Sequence, residues 1–256
     1  MAREEFDLII IGSGPGGYVA GVRAGQLGMK AAVVERDPKF GGTCLLRGCI
    51  PTKALLHTAS ILDEIREADT LGIRVAEPVL DIVKAQERKQ KVVDSNSKGV
   101  EFLFKKNKVT GIHGLGRIAG PHEVEVEGPD GRKTYGARNI MIATGSVPRD
   151  VPIAPTDGER ILNSDHVLEL KKVPASLAVL GAGAVGTEFA SIYASFGSKV
   201  TLIEMLPRIL PIEDEEVSAE LQKALRKRGI DVMTGTRMLG VDRTGTGVRL
   251  RLEGGK

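Results

Sequence analysis

Phe6-Asp7-Leu8-Ile9-Ile10-Ile11-Gly12-Ser13-Gly14-Pro15-Gly16-Gly17 is an apolar run that breaks into glycines. The run is continuously apolar apart from Asp7 and predicts a buried strand over residues 6–11. A helix follows to about Leu27, and a second strand, Ala31–Val34, ends on Glu35. Strand, glycine turn, helix, strand and acid in this order form the unit that binds a dinucleotide. Gly12 permits the tight turn, Gly14 lets a pyrophosphate approach the backbone, and Gly17 lets helix and strand pack closely. The helix N-terminus suits the pyrophosphate, and Glu35 can accept hydrogen bonds from ribose hydroxyls.

The unit recurs from Leu177. Strand Leu177–Leu180 leads to Gly181-Ala182-Gly183-Ala184-Val185-Gly186, a helix to about Phe196, and strand Val200–Ile203 closing on Glu204. Gly12, Gly14, Gly17, Gly28 and Glu35 have counterparts 169 positions later in Gly181, Gly183, Gly186, Gly197 and Glu204. One such glycine pattern is weak, but two copies, each set between strand and helix and closed by an acid, predict two dinucleotide sites. Glu204 would hydrogen-bond a ribose 2′-hydroxyl and repel a 2′-phosphate, which favours NAD, with Arg208 pairing solvent or a nearby acid. The fold class expected is α/β.

Between the copies, Ile50–Leu71 and Val79–Lys106 read as helices. The charged stretch Lys84–Lys91 reads as a solvated face because Glu87 and glutamines interrupt it. Lys108–Tyr135 reads as short strands with a turn at Pro129-Asp130-Gly131, and an apolar strand Asn139–Ile142 meets Ala143-Thr144-Gly145. Pro148, Pro152, Pro155 and Gly158 mark a connecting stretch and place a domain boundary near residue 150. Glu213–Arg228 reads as a further helix.

Composition narrows the function. The 256 residues carry a net charge of +3 with basic and acidic groups interleaved, so nucleic acid is not an expected partner. The apolar runs fall far short of the ~20 residues of a membrane span. A strand pattern starting by Phe6 leaves no room for a signal peptide, and a cytoplasmic location is expected. No metal site is read. The only two cysteines, Cys44 and Cys49, can form a small disulfide ring. Pro51 suits the first turn of a helix, so Cys49 is expected at a helix N-terminus, where unpaired N–H groups and Lys53 would favour a thiolate. That is the setting of a reactive dithiol.

Together these residues resemble the flavin-dependent disulfide reductases with two redox cysteines, and most closely the dihydrolipoamide dehydrogenases. The most specific element is Gly41-Gly42-Thr43-Cys44 through Cys49-Ile50-Pro51-Thr52-Lys53-Ala54-Leu55-Leu56. The resemblance implies two Rossmann-like domains of the three-layer ββα type. Residues 1–150 would bind FAD and carry the disulfide and the helical pair, and residues 151–256 would bind NAD. It makes Cys44 the interchange thiol and Cys49 the thiol against the flavin. Lys53 would lie near the reactive flavin nitrogen and pair with Glu188. Thr43, Gly116 and the Thr144, Gly145 and Ser146 turn would contact FAD, and Met238 NAD. Lys53 and Glu188 taken alone read as ordinary helix residues.

The reaction implied is dihydrolipoamide plus NAD⁺ to lipoamide plus NADH. Implied partners are a lipoyl-domain dithiol, a 2-oxoacid dehydrogenase or glycine cleavage complex, and a second copy in a homodimer. Family members run longer, so the second domain is expected to be incomplete and the interface domain, with its acid/base histidine, absent. His113, His122 and His166 are expected at the surface in turn-rich segments, and His57 half-buried on its helix. Leu46-Arg47 departs from the common asparagine–valine pair. That keeps open a mercuric or glutathione reductase-like activity, and the missing histidine a non-catalytic redox module.

Overall fold

The computed structural model describes residues 3–254. The chain forms two compact units, one of residues up to Pro51 with Gln90–Val147, the other of Thr52–Lys89 with the residues from Pro148 onward.

In the first unit, β1 (Glu4–Ile11), α1 (Pro15–Gln26) and β2 (Ala31–Glu35) are followed by a short helix α2 (Gly42–Arg47) and the start of α3 (Cys49–Arg66). The chain returns along α4 (Ile82–Lys106) into β3 (Thr110–His113), β4 (Leu115–Gly120), β5 (Glu123–Gly128) and β6 (Gly131–Ile142). The sheet order is β3-β2-β1-β6-β5-β4. β6 does two jobs along its length: Tyr135–Ile142 runs parallel to β1, and Gly131–Gly136 pairs antiparallel with β5. The sequence reads as short strands up to Tyr135 and a separate strand Asn139–Ile142; the structure joins the two into one strand across Arg138, whose charge hides the continuity.

Alternation along β1 separates two cores. Ile10 packs with Val33, Phe40, Val93 and Phe104 on the helical side, while Ile9 and Ile11 pack with Val34, Val124 and Val126 on the other. Helices, parallel strands and antiparallel ribbon thus form three layers. On α4, Ser97 donates to the Phe40 carbonyl (2.8 Å), and Asp94 takes Lys39 (2.6 Å) and is held below the ordinary carboxylate range by it.

In the second unit, α5 (Ser164–Val167) precedes β7 (Ser176–Leu180), α6 (Ala184–Ser195), β8 (Lys199–Ile203), α7 (Glu215–Lys227), β9 (Asp231–Met233) and the hairpin β10 (Thr236–Arg243) and β11 (Val248–Gly254). β7-β8-β9 form a parallel sheet. Its core joins Leu55, Ala59 and Leu62 of α3 to Phe189, Ile192, Tyr193, Leu202 and Ile230. Burial raises the Tyr193 phenol, whose hydroxyl donates to the Val167 carbonyl (2.7 Å). Among the described residues β7 has one strand neighbour, whereas its counterpart β1 lies between two. Among them, too, no helix is long and apolar enough to cross a membrane.

The internal repeat survives in the backbone. Ile11 pairs with Val34 and Leu180 with Ile203; Met29 N–H donates to Ala24 (3.0 Å) and Ser198 N–H to Tyr193 (2.9 Å). A side chain on Gly17 would overlap the Gly12 carbonyl, and one on Gly186 the Gly181 carbonyl. Gly28, with φ +78°, has open space around it. Gly17→Ala and Gly186→Ala should therefore each cost about 3 kcal/mol or more, and Gly28→Ala about 1 kcal/mol. Shifts of the urea transition check this order.

Candidate active site and nucleotide turns

The first glycine turn begins where β1 ends. Gly12, at φ +105°, donates its N–H to Val34 (2.8 Å), and Ala143 beyond β6 donates to Ile11 (2.8 Å). Gly14 caps α1 without any side-chain bond, and the first turn of α1 has no acid. A side chain on Gly42 would overlap Gly14 itself, so these two backbones meet across a floor that only glycine allows. Glu35 is buried. Its Oε2 accepts the Ser13 N–H (2.9 Å) and hydroxyl (2.6 Å), its Oε1 the Asp37 N–H (2.9 Å). Ser13 Oγ in turn accepts Gly41 N–H (3.0 Å). A carboxylate offers about four lone-pair sites, so Glu35 retains acceptor capacity for a ribose.

The second turn repeats this wiring. Gly181, at φ +94°, donates to Ile203 (2.8 Å), and Gly183 caps α6 with no side-chain bond. Buried Glu204 takes Ala182 N–H (2.8 Å) on Oε2 and Leu206 N–H (3.0 Å) on Oε1. Ala182 stands where Ser13 does, so Glu204 has one donor fewer. Arg208 pairs with Glu215 and donates to the Pro211 carbonyl (3.1 Å). A cavity of about 580 Å³ in this unit is lined by Gly181, Gly183, Gly186, Ile203 and buried Met238 among others. Asp157, at the neighbouring loop, accepts the N–H groups of Ile161, Arg160 and Glu159, which hold it well below the usual carboxylate range. A helix N-terminus without a side-chain cap and a buried acid fit a dinucleotide at each turn, and the first adds the Gly14–Gly42 floor.

In the first unit, Cys44 and Cys49 are disulfide-bonded with Cα atoms 4.8 Å apart. Cys44 is half-buried on α2, a helix the sequence reading missed for its shortness. Cys49 is exposed as the first residue of α3. A side chain on Gly48 would come within 2.9 Å of the Thr43 carbonyl, so glycine lets the ring close. The Thr43 hydroxyl donates to the Ser146 carbonyl (3.1 Å), linking α2 to the exposed Thr144, Gly145 and Ser146 turn. Gly116 lies on β4 against Val34 and Ile11.

In the second unit, exposed Lys53 on α3 forms an ion pair with Glu188 on α6. His57, one turn on from Lys53, is exposed rather than half-buried, because it shares that solvent-facing stripe. His113 and His122 are exposed, as expected, with His113 in β3 stacked on Phe40 at 4.4 Å; His166 is half-buried in α5, where it closes a capping box with Asn163. Ser13 and Asp37 escaped the sequence reading, since nothing in the glycine pattern marks which neighbours bond the acid.

A family model described as pyridine nucleotide-disulphide oxidoreductase matches residues 6–256, and the chain belongs to that family. Membership implies FAD and a pyridine nucleotide as cofactors. Within it, the chain is similar to a dihydrolipoyl dehydrogenase of Bacillus subtilis, 45% identical over 92% of this chain and 51% of that protein. A dihydrolipoyl dehydrogenase of Zymomonas mobilis is 42% identical over 98% and 54%. Among solved structures it is similar to LpdA of Mycobacterium tuberculosis (TM-score 0.89, 28% identity, 99% of this chain and 56% of that one). The HOCl-induced flavoprotein disulfide reductase RclA of Escherichia coli matches with a TM-score of 0.80 and 30% identity, over 96% and 53%. The chain spans about half the length of the curated relatives it matches.

Lys53 is more than half exposed and Glu188 about a third, so solvent screens their pair. A double-mutant cycle with Lys53→Met and Glu188→Gln should give a coupling of about 0.5 kcal/mol in stability. A value several times larger would mean the pair is structural.

Proposed function

We propose that this chain carries the redox disulfide and the two nucleotide sites of a dihydrolipoyl dehydrogenase. Residues 1–150 would serve FAD, and residues 151–256 NAD. The observation that supports it most is the disulfide on α2 and α3 beside the Gly14–Gly42 floor of the first nucleotide turn. A substrate dithiol, as its thiolate, attacks Cys44 Sγ. The Cys44–Cys49 bond breaks, and Cys49 leaves as a thiolate favoured by the N-terminus of α3. The second substrate thiol then attacks the mixed disulfide at the substrate sulfur, releasing the Cys44 thiol and a cyclic disulfide product. The electron pair rests on the two cysteines. FAD, when bound, supplies electron-pair acceptance and hydride transfer to the nicotinamide. Lys53, held by Glu188, is assigned to the flavin. Gly12, Gly14, Gly17, Glu35, Thr43, Gly116, Thr144, Gly145 and Ser146 would hold FAD. Gly181, Gly183, Gly186, Glu204 and Met238 would hold NAD. A lipoyl-domain substrate in a 2-oxoacid dehydrogenase or glycine cleavage complex, a homodimer and a cytoplasmic setting complete the proposal.

Addition of dihydrolipoamide to the FAD-loaded protein should raise the long-wavelength absorbance of a thiolate beside flavin. Cys49→Ser should abolish it; its persistence in that variant would refute the assignment. Turnover with glutathione or mercuric ion instead of dihydrolipoamide would favour the related reductases.

Engagement of Arg208 by Glu215 supports NAD over NADP. Glu204→Ala removes the partner of two backbone N–H groups, so all nucleotide binding should weaken. NADH should nevertheless lose about tenfold more affinity than NADPH, since one discriminating hydrogen bond to a charged group is worth about 1.5–3 kcal/mol. Equal losses in a fluorescence titration would count against the assignment.

A further inference from the structure

Arg47 is where the redox loop departs from the pattern it otherwise resembles, and its side chain has a specific partner. It is the last residue of α2, three positions after Cys44, which on a helix puts both on one face with Cβ atoms about 5–6 Å apart. Its Nη2 pairs with Asp37 Oδ2, with both side chains about one-third exposed or less. Its Nε is buried with no hydrogen-bond partner. Asp37 is itself fixed: its N–H donates to Glu35 Oε1 (2.9 Å), and its carbonyl faces Nδ1 of His113 (3.1 Å), whose ring stacks on Phe40. The neighbouring charges are already matched. Glu35 holds three donors, and Lys39 is paired with Asp94. Arg47 and Asp37 are thus an opposed pair joined to each other at the end of α2, the helix that carries Cys44.

We propose that Arg47 is a positioning and charge-tuning residue for the Cys44–Cys49 disulfide, poised by Asp37 and tied through it to the acid of the first nucleotide turn. Reduction takes two electrons from a dithiol, breaks the S–S bond, and leaves a thiol and a thiolate on the cysteines; one of the dithiol's protons stays on the thiol, the other passes to solvent, and the dithiol closes to its own disulfide. A cation near the new thiolate favours the reduced form and an anion disfavours it. In the native chain the two charges largely offset each other. Removing either should therefore move the equilibrium, in opposite directions. A purely structural pair would not give opposite signs.

The inference rests on reading the cysteines as a redox pair, and one experiment separates the two. The 256-residue chain is equilibrated with reduced and oxidised dithiothreitol, quenched with a thiol-reactive mass tag, and its reduced fraction read on the two cysteines. Arg47→Met should shift the equilibrium three- to tenfold toward the disulfide, tenfold being about 30 mV for a two-electron couple. Asp37→Asn should shift it by a similar factor toward the dithiol. The double variant and Arg47→Lys should stay within about twofold of the native chain. Both single variants moving the same way, or neither moving beyond twofold, would overturn the proposal. If Arg47→Met does not fold, Asp37→Asn against Asp37→Glu decides: the glutamate variant must stay near native, and a shift as large as that of asparagine sinks the idea. A native disulfide that resists dithiothreitol altogether would overturn the redox reading as well; one that is reduced but indifferent to both charges overturns this inference alone.

Discussion

A buried carboxylate at the end of the second strand holds each glycine turn in place. Glu35 and Glu204 accept backbone N–H groups from the residue after the first glycine and from the residue two positions beyond themselves. Burying an unpaired carboxylate would be prohibitive, and charge-assisted bonds of about 1.5–3 kcal/mol each make it stable. The acid therefore fixes the turn before it ever meets a ribose. The tight approach of helix to strand at Gly17 and Gly186 depends on that geometry, and so does the uncapped helix end aimed at an anion.

The two units use the same turn differently. In the first, Ser13 adds a hydroxyl to the acid and passes the network to Gly41, so the nucleotide turn and the redox loop share one set of bonds. In the second, Ala182 ends the network at the acid. The result is a turn with more acceptor capacity at Glu204, facing a cavity in which Met238 is buried. A single hydroxyl thus separates a turn coupled to a disulfide from one that is not.

Much of the fold was legible because its signals are local. Positive φ at Gly12 and Gly181, apolar runs for β1 and β7, and an acid after each second strand all follow from residue type and spacing. Elements whose signal is not local were missed or misjudged. α2 is too short for periodicity, and β6 is half exposed ribbon with charged side chains. His57 follows a solvent-facing stripe that no helix pattern could orient toward the outside. The candidate site divides in the same way. Cys44, Cys49 and the glycines carry their chemistry in sequence, while Ser13, Asp37 and Arg47 gain theirs from neighbours distant in the chain.

By itself the sequence determined two dinucleotide turns, their acids and a dithiol at a helix start, because each is a short pattern whose physics lies within a few residues. Only the tertiary structure decided which donors satisfy Glu35 and Glu204, that Lys53 meets Glu188, and that Arg47 meets Asp37. Most of those contacts join residues from 10 to 135 positions apart; only the bonds from Asp37 and Leu206 to the acids are local. Packing of separate strands and helices brings them together, and no local rule encodes that.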